Sequence, residues 1–327
     1  MDASAPNAGS GLPDGRRLGA HLAMGAGMVR AAERAREIGA DSLQLFADNP
    51  TAWRRRAELP VELPAFRAKV AELGLGPLAI HAAYLVNLAG PDDDLFERSL
   101  GVLTRELAVA PAYSARFVNV HVGSHRGTGV GAVIARVAAG VARVLAETAA
   151  GPDAATLVLE NSAGGGDGLG TSVDELARIL DAIEARGIGA GRVGRCLDTA
   201  HLWGAGVAID TADGVDALVD SIASRIGLER IVMVHLNDSR AAFGSRVDRH
   251  QHLAAGEIGS DGLTRFLPPP ALAHVAYYLE TPGVDEGFDA VNIARARDLA
   301  AGVRPALLPP EALNLRGSRA RAAEPAR

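Results

Sequence analysis

The sequence predicts an α/β protein built as a single (β/α)8 barrel, with a metal site at the C-terminal rim of its strands. Three observations carry this. Short apolar runs alternate with helix-patterned segments along most of the 327 residues, the pattern of a parallel sheet with crossover helices. Six of the runs, LAIH, FVNVH, TLVLE, GRCLD, IVMVH and AYYLE, end in a side chain able to ligate a metal: His81, His121, Glu160, Asp198, His235 and Glu280. These six are spaced 40, 39, 38, 37 and 45 residues apart, about one βα unit each time. An open doubly wound sheet gathers its ligands at one switch point, whereas here they come from strands three to eight, so closure into a barrel is expected.

The elements follow in order. The first strand covers Arg17–His21, and Met28–Ile38 shows helical spacing through Val29, Ala32, Ala35 and Ile38. The second strand is Ser42–Phe46, followed by a helix over about Pro64–Leu73. Gly76-Pro77 marks a turn before the third strand, Leu78–His81. Asp92 to Asp94 supply a cap and an acidic first turn for a helix over Asp94–Ala110. Strand four ends at His121, and a helix spans about Val130–Thr148. Strand five ends at Glu160, AGGGDGLG forms a loop, and Ser172 caps a helix running to about Glu184. Strands six and seven end at Asp198 and His235, and strand eight covers His274–Glu280 with Pro282 stopping it.

This reading gives a disordered leader over residues 1–16, a barrel over 17–303 and a loosely packed, partly disordered C-terminal arm over 304–327, where prolines come early and arginines late. The leader lacks a charged-then-apolar secretory pattern, and no apolar run is long enough to span a bilayer. The single cysteine, Cys196, excludes an internal disulfide and fits a reducing cytoplasm, with the thiol a small core residue. The net charge of −6 argues at face value against a non-specific nucleic-acid binder. Three divalent cations would more than cancel four ligand carboxylates, however, leaving a mildly positive rim on an acidic body.

The chemistry rests on nine residues. Asp198 and His201 stand three apart in CLDTAH, and Asp248 and His250 form a D-x-H pair in SRVDRH. Alternation in an extended loop puts both members of such a pair on one side. Glu160 and Glu280 end buried apolar strands, where an ionised carboxylate is costly without a charge partner, and a cation is a natural one. His81 could instead be a core histidine, and Glu280 could pair with an arginine. The coincidence of position favours metals, and nine ligands could hold two or three divalent ions. His21 ends strand one in LGAH and reads as a supporting or phosphate-contacting residue. His125 and His252 sit in rim loops where a substrate could reach them, and His274 reads as structural. The glycine-rich loop matches neither nucleotide-binding fingerprint, which excludes a nucleotide cofactor.

Together LGAHLAMGAGM, NVHVGSH, LENSAGGG, CLDTAH, HLNDS, FGSRVDRH and LETP resemble the endonuclease IV family of apurinic/apyrimidinic endonucleases, from about Leu18 to Val303. The resemblance implies a trinuclear-zinc TIM barrel that hydrolyses duplex DNA 5′ to an abasic site with a zinc-activated hydroxide, leaving a 3′-hydroxyl and a 5′-deoxyribose phosphate. It places one zinc on His81, His121 and Glu160, a second on Glu160, Asp198, His235 and Glu280, and a third on His201, Asp248 and His250. Glu160 and Glu280 would be catalytic as partners of the activated water. Manganese is chemically acceptable at such N/O sites. The expected partner is duplex DNA with abasic or 3′-blocked lesions, bound by a monomer. Tyr84 matches a family residue that enters the bent duplex, and Arg240, Arg246 and Arg249 flank the ligands as candidate phosphate contacts.

Three positions depart from the family pattern. Thr51 stands where many members carry a long polar probe, Val122 replaces the proline of HPGSH, and Gly165 replaces a glutamine. None removes a ligand; all bear on DNA binding. The competing enzyme class is a sugar isomerase or epimerase of the xylose-isomerase-like barrels, which uses one or two metals and has no need of a third ligand set. A lesion-binding protein without turnover would have no need of intact ligands.

Overall fold

The computed structural model describes residues 11–148, 150–267 and 269–314. Eight parallel strands close into a barrel: β1 (Leu18–His21), β2 (Ser42–Leu45), β3 (Leu78–His81), β4 (Ala115–His121), β5 (Thr156–Glu160), β6 (Val193–Asp198), β7 (Ile231–His235) and β10 (Ala276–Leu279), with β1 pairing β10 to shut the ring. The intervening helices are α1 (Met28–Glu37), α2 (Leu63–Glu72), α3 (Asp93–Val109), α4 (Val130–Ala146), α5 (Val173–Glu184), α6 (Thr199–Gly204), α7 (Ala212–Arg225), α8 (Gly259–Phe266), α9 (Phe288–Ala300) and α10 (Pro310–Leu313). A small antiparallel hairpin, β8 (Asp238–Ser239) with β9 (His250–Gln251), rises from the rim after β7.

The two-residue period of a strand decides where the ligands point. Ala79, Phe117, Val158, Cys196, Met233, Ala276 and Tyr278 form their own cluster, filling the barrel interior. Counting on by two or four from these residues reaches His81, His121, Glu160, Asp198, His235 and Glu280. Each therefore projects inward at the C-terminal mouth, and a one-residue slip would turn it toward the helices. The alternate residues, among them Leu78, Ile80, Val118, Val120, Leu157 and Leu159, belong to the larger core beneath the helices.

Capping matches the sequence signals. Asp92 accepts from Leu95 N at 2.8 Å and Ser172 from Glu175 N at 3.2 Å. The C-terminal half holds more than the sequence reading assigned. Helices α6 to α9 and the β8–β9 hairpin were not assigned there, because their apolar spacing is short or broken by glycine and acidic residues. The eighth strand begins at Ala276 and ends at Leu279, with Glu280 just beyond it.

The expected leader over 1–16 is corrected where it is described. Leu12 is buried, and the buried Arg16 donates to the Leu267 carbonyl at 2.6 Å and to Tyr277 Oη at 2.9 Å; residues 1–10 lie outside the described part. The expected loose arm is corrected in the same way over 304–314. Arg295 donates to the Ala306 carbonyl, and the fully buried Ala312 accepts from His252 Nε2 at 3.0 Å. Residues 315–327 lie outside the described part. Among the described residues, no helix is long and apolar enough to cross a membrane.

Candidate metal centre

The nine ligand-type residues meet at the mouth of the barrel. His81 Nε2 and His121 Nε2 each lie 3.8 Å from Glu160 Oε2. His235 Nδ1 lies 3.2 Å from Glu160 Oε1, 3.3 Å from Glu280 Oε2 and 3.9 Å from Asp198 Oδ2. Asp248 bridges two histidines, with Oδ2 3.2 Å from His201 Nε2 and Oδ1 3.2 Å from His250 Nε2. His250 Nε2 is also 3.5 Å from Asp198 Oδ2. Donor atoms lie within 4.8 Å of one another in the groups His81, His121 and Glu160; Glu160, Asp198, His235 and Glu280; and Asp198, His201 and His250, so that Glu160 belongs to the first two and Asp198 to the last two; the Cys196 thiol forms a further such group with Glu160 and His235.

A further shell, which the sequence reading missed, sets the ligand atoms. His81 Nδ1 donates to the Ala82 carbonyl at 2.7 Å, His201 Nδ1 to the Asn161 carbonyl at 3.0 Å and His250 Nδ1 to the Glu280 carbonyl at 3.1 Å. A carbonyl only accepts, so these Nδ1 atoms carry hydrogen and Nε2 faces the centre. His235 is turned the other way: its Nε2 lies 3.0 Å from Gln44 Oε1, which leaves Nδ1 for the centre. Amides hold the carboxylates. Asn119 donates to Glu160 at 2.5 Å, Gln44 to Glu280 at 2.6 Å and Asn237 to Asp198 at 2.7 Å. The signal was in the sequence. Gln44 and Asn119 are polar residues at inward positions of apolar strands, and Asn161 and Asn237 follow ligands by one and two residues.

Electrostatics test whether the site suits cations. Burial pushes the His81 imidazole down to about 4, so it is neutral and ready to ligate. Burial opposes charge at Glu160 too, yet His121 and His235 outweigh it and hold the carboxyl well below its usual range. His250 is disfavoured by burial but drawn up to about 9 by Asp198 and Asp248. The buried carboxylates thus demand positive charge. His250 Nε2 is buried and faces Asp248 Oδ1 at 3.2 Å and Asp198 Oδ2 at 3.5 Å, and the donor atoms of the nine residues are nitrogen and oxygen. That is the chemistry of zinc or manganese sites.

The remaining candidates divide. His21 sits at the centre, with Nδ1 3.1 Å from Gln44 Nε2 and 3.4 Å from Glu280 Oε1. Tyr84 is 60% exposed beside the centre, edge-on to Phe46 at 5.1 Å and 5.8 Å from the His81 ring. Arg240, Arg246 and Arg249 all lie on the loop between β8 and β9. Each gives a nitrogen to nearby backbone: the His250 carbonyl at 3.2 Å, the Gly164 carbonyl at 3.1 Å and the Asp248 carbonyl at 2.7 Å respectively. Thr51 is exposed, bonding Asn49 Oδ1 through N and Oγ1 at 2.9 and 2.8 Å. His125 Nδ1 accepts from Gly129 N at 3.1 Å, at the start of α4.

His252 is corrected: it is fully buried between Ala312 and Asn292 and does not reach the rim. His274 bonds the Ile231 carbonyl at 2.9 Å, a structural role. Burial pushes the Cys196 thiol up to about 12, in keeping with a core residue. A cleft of about 410 Å³ over the centre, lined by His81, His121, Asp248 and Glu280 among others, adjoins one of about 430 Å³ lined by Trp53, Val122 and Arg126. Tyr84 and His121 border both.

Comparison with known proteins agrees with this geometry. Residues 32–304 match the family model described as xylose isomerase-like TIM barrel. The chain is 39% identical to a probable endonuclease 4 of Methanoculleus marisnigri over 283 residues, 86% of this chain and 98% of the relative. It is 39% identical to that of Halorhodospira halophila over 290 residues, 89% of this chain and 96% of the relative. The crystal structure of endonuclease IV from Thermus thermophilus superposes with a TM-score of 0.74 at 36% identity, over 88% of this chain and all of that one. A D-tagatose 3-epimerase-like protein superposes with a TM-score of 0.62 at 14% identity, a likeness of fold alone. By sequence, fold and the residues at the mouth of its barrel, the chain belongs to the endonuclease IV family.

Proposed function

We propose that this chain is a metal-dependent phosphodiesterase that cuts duplex DNA 5′ to abasic sites, leaving a 3′-hydroxyl and a 5′-deoxyribose phosphate. The observation that carries the reading is the set of three donor groups linked through Glu160 and Asp198. The relatives named probable endonuclease 4 support the substrate class. Three zinc ions would be held so: one by His81, His121 and Glu160, one by Glu160, Asp198, His235 and Glu280, and one by His201, Asp248 and His250. Zinc so held would supply a nucleophilic water near neutral pH and offset charge on the phosphate.

The protein's own residues act around that chemistry. The backbone carbonyls of Ala82, Asn161 and Glu280 fix the histidine tautomers before any substrate arrives. Asn119, Gln44 and Asn237 keep the carboxylates from turning away. Tyr84, exposed beside the centre, is the side chain to occupy the space an unstacked nucleotide leaves. A one- or two-metal sugar isomerase would have no use for the set of His201, Asp248 and His250, which favours the nuclease.

The test is a duplex carrying one tetrahydrofuran abasic analogue, incubated with chelator-stripped protein and again after zinc or manganese is restored. A single metal-restored cut 5′ to the analogue is expected. Failure to cut with metal restored, or equal cutting of an intact duplex, would reject the reading.

A further inference from the structure

Behind the rim, away from the metal centre, Arg55 and Glu106 meet where charge is costly. Arg55 stands in the loop between β2 and α2, and Glu106 on α3. Their side chains are only 8% and 3% exposed, with Nη1 3.3 Å from Oε1. A buried pair of this kind often adds little net stability, so what it holds in place matters more than what it adds to the fold.

What Arg55 holds is its own loop. Its Nη2 donates to the Asn49 carbonyl at 3.0 Å and to the Ala52 carbonyl. Asn49 Oδ1 receives Thr51 N and Oγ1, so the short Thr51 side chain is bent back on the loop. Between these residues, the Pro50 carbonyl accepts from Tyr84 N at 3.1 Å. The Tyr84 ring leans edge-on against Phe46, just past β2, at 5.1 Å. Tyr84 and Trp53 both line the cleft of about 430 Å³ beside the centre.

The same loop is gripped from α3 and the turn after it. Arg105 Nη2 donates to the Arg56 carbonyl at 3.0 Å and the Ala57 carbonyl at 2.8 Å, and Tyr113 Oη to the Ala47 carbonyl at 3.0 Å. The N–H of Ala83, next to Tyr84 in the chain, faces the Glu106 carboxyl. One carboxyl therefore meets the loop after β2 through Arg55 and the loop after β3 through Ala83.

We propose that Arg55, held by Glu106, is a positioning residue: its bonds to the Asn49 and Ala52 carbonyls fix the Pro50 carbonyl that seats Tyr84 beside the metal centre. The inference rests on the abasic-site nuclease reading and deepens it. It makes discrimination of the lesion, and not the metal site, depend on this pair.

Labelled duplexes, one intact and one carrying a tetrahydrofuran abasic analogue, are titrated at fixed salt, and the ratio of the two affinities is read. Loss of a positive charge weakens both duplexes alike, so the ratio reports how Tyr84 is seated. Arg55→Met keeps the buried stem and removes the donors. It should lower the ratio about threefold or more, with bound zinc unchanged. Glu106→Met should do the same, whereas Glu106→Gln, which keeps an acceptor for Arg55, should stay close to wild type. Adding Arg55→Met to Tyr84→Ala should lower the ratio no further than Tyr84→Ala alone. If Glu106→Met does not fold, Arg55→Met and the double variant decide. A wild-type ratio in Arg55→Met, or a double variant whose two losses add, would overturn the positioning role and leave the nuclease reading intact. A wild type with no preference for the abasic duplex in binding or in cutting would overturn both.

Discussion

Glu160 accepts a hydrogen bond from Asn119 and faces His121 and His235, and Glu280 is held by Gln44. Each is a carboxylate whose charge, more than its shape, matters here. Glu160→Gln and Glu280→Gln should each lower abasic-site incision by about a hundredfold or more, while binding of the abasic duplex partly survives. Near-normal single-turnover rates in Glu280→Gln would place that residue away from the reacting phosphate. Tyr84 offers its ring to solvent beside the centre, and a stacking or wedging aromatic is worth roughly 1–3 kcal/mol. Tyr84→Ala should weaken abasic-duplex affinity about tenfold at fixed salt with no loss of zinc, and Thr51→Arg should tighten it by adding reach and charge. Titration of labelled abasic and intact duplexes checks both. An unchanged affinity ratio in Tyr84→Ala would make it a packing residue.

At the scale of elements, α5 follows the loop that holds Gly164 and Gly165, so its N-terminus anchors that loop. Ser172 accepts from Glu175 N, and Glu175 Oε2 in turn accepts from Gly170 N at 2.9 Å and Thr171 N at 3.0 Å. Ser172→Ala should cost about 1 kcal/mol in urea unfolding; a change within error would show that Glu175 alone secures the turn. The first five strands and the helices between them were legible because apolar runs, turn residues and caps agree there. Beyond Asp198 the pattern weakens. The α7 segment carries Gly214 and three aspartates, and α9 buries Asp289, Asn292 and Arg295, so polarity no longer marks the exposed face. All nine proposed ligands could be named because each ends a strand or follows one closely. Their amide and carbonyl supports could not, since partnership depends on which strands adjoin. Gln44 reaches both His235 and Glu280 across the mouth of the closed barrel, and no spacing in the sequence encodes that meeting. His252 looked like a rim residue from its loop and proved to be covered by the C-terminal arm.

For the whole molecule, two kinds of buried charge set the response to conditions. Away from the centre, Glu106 on α3 is buried against Arg55 at 3.3 Å, and burial outweighs that partner and pushes its carboxyl up to about 8. Its ordinary value is 4.5, so between these values the folded chain holds a proton that the unfolded chain releases. The stabilisation is full below about 4.5 and is lost as pH rises through about 8. Melting temperature should fall across that window more steeply in the wild type than in Glu106→Gln; parallel curves would deny Glu106 this role. At the mouth of the barrel lie four carboxylates and five histidines, and the proposed function has them hold three cations. Anomalous scattering at the zinc edge, from crystals grown with zinc, tests this most directly. The account predicts three peaks: one at His81, His121 and Glu160, one at Glu160, Asp198, His235 and Glu280, and one at His201, Asp248 and His250. One or two peaks at full zinc saturation, or a third peak away from Asp248, would contradict it.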